Sequence, residues 1–184
     1  MTKALIELGH KNLCRTLLLI ATALGEPVYK KFGFEVDTQY VFFDDGTLSS
    51  KNFSAQISIL QQHDEQSLFK MDRLVSGEDR KKLLQGHLNN VQVVFEDNTL
   101  KGFYMPTLGD GLIIADSPGA GLALMKLRMG STKKFCIPLL NEHGINFLHQ
   151  NGFTEYRRAS RMILGERIPW DGSKIYNRIG GNLG

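Results

Sequence analysis

Cysteine is scarce in this chain: two residues, Cys14 and Cys136, among 184. Neither stands at a metal or redox spacing, which excludes a disulfide-stapled mini-protein. Two unpaired thiols in a chain of this size point to a reducing compartment, so a cytoplasmic location is expected. The five histidines, His10, His63, His87, His143 and His149, form no HExxH or comparable pattern, and no metal is expected. No apolar run approaches the ~18 residues that span a bilayer, so no membrane partner is expected. Long runs of one charge are also lacking. The net charge is +3, and the basic residues come in scattered pairs such as Lys81–Lys82 and Arg157–Arg158. Without a basic stripe interleaved with aromatics, nucleic acid is not an expected partner.

What is present is an ordinary globular composition, 42% hydrophobic and 22% charged. A chain of this length buries a sizeable core unaided, so disorder and collagen-like structure are excluded. Glycine is the outlier, at 19 of 184, where about 7% is usual.

Residues 3–13 read as an amphipathic helix with Ala4, Leu5 and Leu8 on one face. Leu17–Ala21 is a buried-strand pattern. Gly25-Glu-Pro27 opens a short helix that Gly33 ends, and residues 34–43 read as strand. Residues 44–53 are polar and turn-rich, as in a linker. From Ser54 the pattern is a strand at 57–60, helix faces at Leu68, Met71, Leu74 and Val75 and at Leu83, Leu84 and Leu88, and a hairpin over 91–105. A strand follows at 112–115, then the turn Ser117–Gly121, a helix over 122–129, a strand at 135–140, a helix over 144–150 and a strand over 154–164. Residues 165–184 read as a tail. Hairpin strands mixed with helices indicate an α+β class.

The chain also contains an internal repeat. A shift of 119 residues lays Leu18–Thr22 on Ile137–Asn141, Gly25 on Gly144, Val28 on Phe147, Tyr29 on Leu148 and Gly33-Phe34 on Gly152-Phe153. Each copy reads as apolar strand, polar residue, glycine three later, short apolar helix, Gly-Phe, strand. The basic residues before Leu17–Leu24 and the Ala21-Thr-Ala23 sequence imitate a secretory signal, but the repeat places this stretch in the mature fold.

Leu19–Phe34 resembles the C-terminal half of the GNAT superfamily of acetyl-CoA-dependent N-acetyltransferases. The family pattern is Asn-x-x-Ala, a Tyr seven residues after the Asn, and Gly-Phe four residues after the Tyr. Thr22, Gly25, Tyr29 and Gly33-Phe34 fill those places in the first copy; Asn141, Gly144, Leu148 and Gly152-Phe153 fill them in the second. With the stretch Tyr156–Met162 and the glycine-rich end Ile179–Gly184, the whole chain resembles a bacterial tandem-GNAT subgroup. The resemblance implies a mixed, mostly antiparallel sheet flanked by helices. It divides the chain into residues 1–53, the C-terminal half of a truncated GNAT-like domain, residues 54–164, a complete GNAT-like domain, and the tail 165–184.

The resemblance further implies transfer of acetyl from acetyl-CoA to an amine on a small molecule or peptide. Tyr29 is the implied catalytic acid for the leaving thiolate, since a phenol, with an unperturbed pKa of ~10, is protonated at neutral pH. Thr22, Gly25, Ser117, Gly119 and Gly121 are the implied cofactor-binding residues. Backbone N–H groups at a helix start hold phosphate, and Gly119 and Gly121 could expose such groups, although no Arg or Gln precedes them in the family's register. The first copy lacks the glycine-rich pyrophosphate loop, and Leu148 has no proton to donate. The alternative reading is therefore a non-catalytic GNAT-like binding or regulatory module.

The remaining candidates have plain roles. Glu142 serves a helix dipole, and Trp170 anchors the tail. Glu96 and Asp97 fit a pocket border or plain turn chemistry equally well, and Arg157, Arg158 and Arg161 read as a solvated strand face ahead of a site that steers an anionic ligand. Residues 1–53 are too few to bury both faces of a sheet. They should pack on the second domain or pair with another chain as a homo-oligomer.

Overall fold

A computed structural model describes residues 2–46 and 56–180. The first repeat copy is strand β1 (Thr16–Ala21), helix α2 (Glu26–Lys30) and strand β2 (Glu35–Asp44), preceded by helix α1 (Thr2–Lys11). Strand β3 (Ile57–Ile59) follows. A 3-10 turn (Gln62–Asp64) then runs into helix α3 (Glu65–Ser76), and helix α4 (Lys81–Gln85) comes next. Strands β4 (Gln92–Glu96) and β5 (Thr99–Met105) form the expected hairpin, with Asp97 and Asn98 both at positive φ, as a twist-matched two-residue turn requires. Strand β6 (Leu112–Ala115) leads into helix α5 (Pro118–Met129). The second copy is strand β7 (Phe135–Pro138), helix α6 (Glu142–Gln150) and strand β8 (Thr154–Gly165). A second 3-10 turn (Gly172–Lys174) and strand β9 (Ile175–Asn177) complete an α+β fold.

The strands make two sheets, ordered β1-β8-β2-β7 and β3-β4-β5-β6-β9, with every pairing antiparallel. In the first sheet the two repeat copies interleave. Strand β2 lies between β8 and β7, and β8 lies between β1 and β2. Exchanging the copies turns the order into β7-β2-β8-β1, the same order read backwards, so the sheet has a pseudo-twofold character. Both copies close their helix turn on a glycine at positive φ, Gly33 at 88° and Gly152 at 74°, a conformation glycine adopts without a Cβ penalty.

This interleaving puts β2 in the middle of the sheet and buries its second half, with Tyr40, Val41, Phe42 and Phe43 all in the core. Strand β1 is less covered. It pairs only with β8 among the described residues, and on α1 beside it Leu5 and Leu8 stay exposed. One core lies between the sheets and α5, built on Phe43, Ile113, Leu124, Ile137 and Phe153; a second lies under α3 and α4, around Leu68, Leu84, Phe103 and Leu112.

Three sequence expectations shift, and a fourth lies outside the described residues. Helix α5 starts at Pro118 rather than 122, because proline suits a first turn and Ser117 caps it. Leu74 is exposed although its spacing put it on the apolar face of α3. Most of the expected linker, residues 47–53, lies outside the described residues. The segment after residue 164 is no appendage, because Ile175, Tyr176, Asn177 and Ile179 are fully buried and β9 is a sheet strand.

Candidate functional site

The sequence-derived candidates fall into two groups, one at the helix start of each repeat copy. In the first copy, Thr22 follows the end of β1. Its carbonyl accepts from Gly25 N and Glu26 N, both at 2.9 Å, and its Oγ1 accepts from Gly25 N at 3.3 Å. These bonds close the turn that leads into the short α2, whose N-cap residue is Gly25 and whose first turn holds Pro27. Tyr29 lies half-buried across that turn. Its ring meets Phe34 edge-on, with centroids 5.8 Å apart, and its Cε2 stands 3.3 Å from where a Cβ on Gly25 would sit. Gly25 therefore gives the ring its room. No hydrogen bond to the Tyr29 hydroxyl is made among the described residues. Glu26 accepts from Lys30 (2.6 Å) and from Ser160 Oγ (2.5 Å), and these two bonds hold its carboxyl below the usual carboxylate range.

In the second copy the equivalent polar residue is a true helix cap. Asn141 is fully buried. Its Oδ1 accepts from Gly144 N at 2.8 Å, and its Nδ2 donates to the Ile175 carbonyl at 2.9 Å, tying α6 to β9. Leu148, the counterpart of Tyr29, is buried in the core. The equivalent polar residue thus bonds the glycine three residues on in both copies, but it caps the helix only in the second copy and is exposed only in the first.

At the start of α5 the polar groups are already engaged. Ser117 Oγ accepts from Ala120 N at 3.2 Å and donates to Glu96 Oε1 at 2.8 Å. Gly121 N donates to the Ser117 carbonyl at 3.1 Å, and a Cβ on Gly121 would run into the Tyr176 ring. Burial pushes the Tyr176 phenol up to about 12. Glu96, from the hairpin turn, thus places a carboxylate at the helix start. Beside it a cavity of about 320 Å³ is bordered by Asp116, Ser117, Glu142, His143 and Lys174. Lys174 is the first cause, and Lys101 the next, of an Asp116 carboxyl held below its ordinary range, with Lys174 Nζ at 2.8 Å and Lys101 Nζ at 3.5 Å.

Strand β9 closes the space between β6 and β7, which do not pair with each other. It pairs with β6, while Arg178 N donates to the Cys136 carbonyl at 3.0 Å and Cys136 N donates to Asn177 Oδ1 at 2.9 Å. Burial pushes the Cys136 thiol up to about 12.

A third cluster went unseen in the sequence. Tyr40, Glu78, Arg80, Arg161, Trp170 and Arg178 border one small cavity. They come from five separate segments, and no local spacing signals them. Arg161 corrects the expectation of a solvated face. It is 5% exposed, ion-paired with Asp37 and stacked on Trp170 at 4.0 Å. Arg157 and Arg158 do stay exposed. The difference is Trp170, which covers the Arg161 end of β8 and donates through Nε1 to the same Asp37 at 3.0 Å. Among the described residues, no group of three or more His, Cys, Asp or Glu is placed to hold a metal ion, and no helix is long and apolar enough to cross a membrane.

No known protein-family profile matches the sequence, and no curated protein matches it. Solved structures do. An inferred acetyltransferase of Pyrococcus horikoshii superimposes over 100% of this chain and 64% of its own, at TM-score 0.79 and 21% identity. A GCN5-related N-acetyltransferase from Sphaerobacter thermophilus covers 86% of this chain and 62% of its own, at TM-score 0.54 and 12% identity. Another from Anabaena variabilis covers 88% and 48%, at TM-score 0.55 and 10% identity. The chain thus spans less than two thirds of the length of each of these three. With two curled antiparallel sheets, helices packed on them and these structural neighbours, the chain has the fold of the GNAT N-acetyltransferases.

Proposed function

We propose that this chain is an N-acetyltransferase of the GNAT type, moving an acetyl group from acetyl-CoA to the amine of a small molecule or peptide, with Tyr29 as the acid. The observation that carries this reading is the superposition of the entire chain on the Pyrococcus horikoshii protein. At such low identity the superposition speaks for the fold, and the chemistry rests on the residues.

The two helix starts suit an anionic cosubstrate unequally. At α5, Ser117 occupies Ala120 N and Gly121 N, and Glu96 sets a negative charge where a pyrophosphate would lie. Ser117, Gly119 and Gly121 therefore fit the cosubstrate poorly, and no step is assigned to them. At α2, Thr22 is exposed, Gly25 presents no side chain and the Tyr29 hydroxyl is unengaged among the described residues. Acetyl-CoA, when bound, supplies a thioester whose sulfur leaves as a thiolate. Tyr29 would hold a proton on Oη for that sulfur, Gly25 would keep the ring in place, and Thr22 would fix the helix start. The tandem arrangement, with 1–53 as a half domain, is part of the same proposal, with the second unit extended past residue 164 to include β9.

A second reading, a non-catalytic GNAT-like module, is favoured by Leu148, a buried aliphatic residue where the first copy has Tyr29. Calorimetric titration with acetyl-CoA, followed by transfer assays on a panel of amines, separates the two. The enzyme reading expects binding and a loss of about 10²–10⁴-fold in transfer for Tyr29→Phe. Absence of binding at millimolar acetyl-CoA would sink it, and transfer unchanged by Tyr29→Phe would remove Tyr29 from the chemistry.

A further inference from the structure

Where α5 ends and β7 begins, a cavity of about 310 Å³ is bordered by residues from the end of β2, the start of β8 and the end of β9. It shares no residue with the Tyr29 site. Four of its lining side chains are cationic, Arg128, Lys134, Arg157 and Arg178, against a single carboxylate, Asp110, among the described residues. Asp110 pairs with Arg178 at 3.2 Å, and Lys134 Nζ lies 4.0 Å from Asp44. Arg128 and Arg157 have no carboxylate within ion-pair distance among the described residues. The neighbouring Cys136 thiol, pushed up to about 12, adds no negative charge at neutral pH.

Arg128 stands in the last turn of α5 and is 7% exposed. Its Nη2 donates to the Lys134 carbonyl at 3.1 Å, and Gly111, at positive φ and without a side chain, leaves room for Nη1. Its Nε is the one buried side-chain polar atom without a hydrogen-bond partner among the described residues. A buried cation with an unpartnered donor and no counter-ion is costly, and an anion in the adjoining cavity meets both needs. Arg157 is exposed, yet it is held in place. Its guanidinium lies 4.0 Å from the Phe42 ring centroid and 6.0 Å from that of Tyr156. Two rings thus position a guanidinium whose N–H groups make no hydrogen bond among the described residues.

We propose that this cavity binds a small organic molecule by its phosphate monoester group, held by N–H groups of Arg128 and Arg157, with Lys134 and Arg178 as supporting charges. Guanidinium forks match phosphate oxygens in pairs. A monoester carries a charge of about −1.5 to −2 at neutral pH, which offsets most of the excess of cations. The volume, about 310 Å³, is at the lower end of small-molecule pockets. The Tyr156 ring, 54% exposed at its border, offers a face to the organic part.

The test titrates the full chain calorimetrically with phenyl phosphate at constant ionic strength, with inorganic phosphate and phenol as companion probes. Phenyl phosphate should saturate at millimolar concentration or below, inorganic phosphate should bind about tenfold more weakly, and phenol should not bind. Arg157→Gln, an exposed change, should weaken phenyl phosphate about tenfold, as loss of a hydrogen bond to a charge does. Arg128→Lys, which keeps the charge and removes the fork, should weaken it similarly; where that variant fails to fold, Arg157→Gln decides alone. Arg158→Gln serves as the control, because Arg158 lies outside the cavity and is paired with Glu155 at 2.6 Å, and it should leave the affinity within about twofold. Absence of saturable phenyl phosphate binding would mean that the cavity holds water only. Equal weakening by Arg157→Gln and Arg158→Gln would mark diffuse surface charge, and inorganic phosphate binding as tightly as phenyl phosphate would remove the organic part. Each of these three outcomes overturns the proposal.

Discussion

Replacing Asn177 should cost more than any change on the exposed face of the chain, and its geometry sets the size. Asn177 is fully buried. Its Oδ1 accepts from Cys136 N at 2.9 Å, and its Nδ2 donates to the carbonyls of Gly111 (2.8 Å), Asp110 (3.0 Å) and Arg178 (3.2 Å). One side chain thus bridges β7, the approach to β6 and β9. Asn177→Ala strands the Cys136 N–H and at least one buried carbonyl. At ~1–3 kcal/mol for each buried group left unpaired, a loss of about 2–6 kcal/mol is expected. For a chain of this length that lowers the unfolding midpoint by about 4–24 °C. Asn177→Asp keeps the acceptor for Cys136 N but turns an oxygen toward three carbonyls, so it should be at least as damaging despite being isosteric. Thermal unfolding of both variants, with hydrogen exchange at the Cys136 amide, measures the effect. A midpoint within 1 °C of the parent for Asn177→Ala, with the Cys136 amide still protected, would refute the reasoning.

Two further predictions concern stability. Asp72 is 1% exposed and receives Arg80 through two hydrogen bonds, so Asp72→Asn, which leaves a buried guanidinium without its counter-ion, should cost about 3–5 kcal/mol in urea unfolding, and a loss below 1 kcal/mol would contradict the buried pair. Cys14 is exposed while Cys136 is buried with its thiol pushed up to about 12, so a thiol reagent should modify one cysteine in the native chain and two after denaturation. The raised folded pKa values of Cys136 and Tyr176 mean that the native state keeps protons the unfolded chain releases. Their contribution is complete below the unfolded values of about 8.5–10 and is lost as pH rises toward about 12. Cys136→Ala should flatten that alkaline decline, and an unchanged slope would assign it to other groups.

The features legible in the sequence were those fixed over short spans. The repeat showed because Gly33 and Gly152 occupy positive-φ turns and because Thr22 and Asn141 each accept from the N–H of a glycine three residues on, constraints that act within a few residues. The hairpin showed for the same reason. Strand partners did not, because the β2–β8 pairing joins segments more than a hundred residues apart and no local pattern specifies which strand enters between which. Strand β9 was missed because Ile175, Tyr176 and Ile179 alternate with Asn177 and Arg178, a mixture that reads as polar until Asn177 is seen to satisfy the backbone of its neighbours. Arg161 was misread since periodicity alone does not show that Trp170, nine residues on, folds back over it. At the candidate site, Tyr29 and Thr22 were legible from spacing, whereas the engagement of Ser117 by Glu96 needed the hairpin turn brought next to α5.

The interleaved order β1-β8-β2-β7 also bears on how this protein is made. Strand β2 leaves the ribosome with both of its lateral partners still untranslated, and β1 waits equally long for β8. Such distant closures are slow, and an apolar strand left without a partner is open to association with other nascent chains. Residues 16–44 therefore have to stay unpaired until residues 135–165, which form β7 and β8, have been synthesised. Closure of this sheet waits for that stretch, and until then the apolar Leu17–Ala21 segment lacks its strand partner.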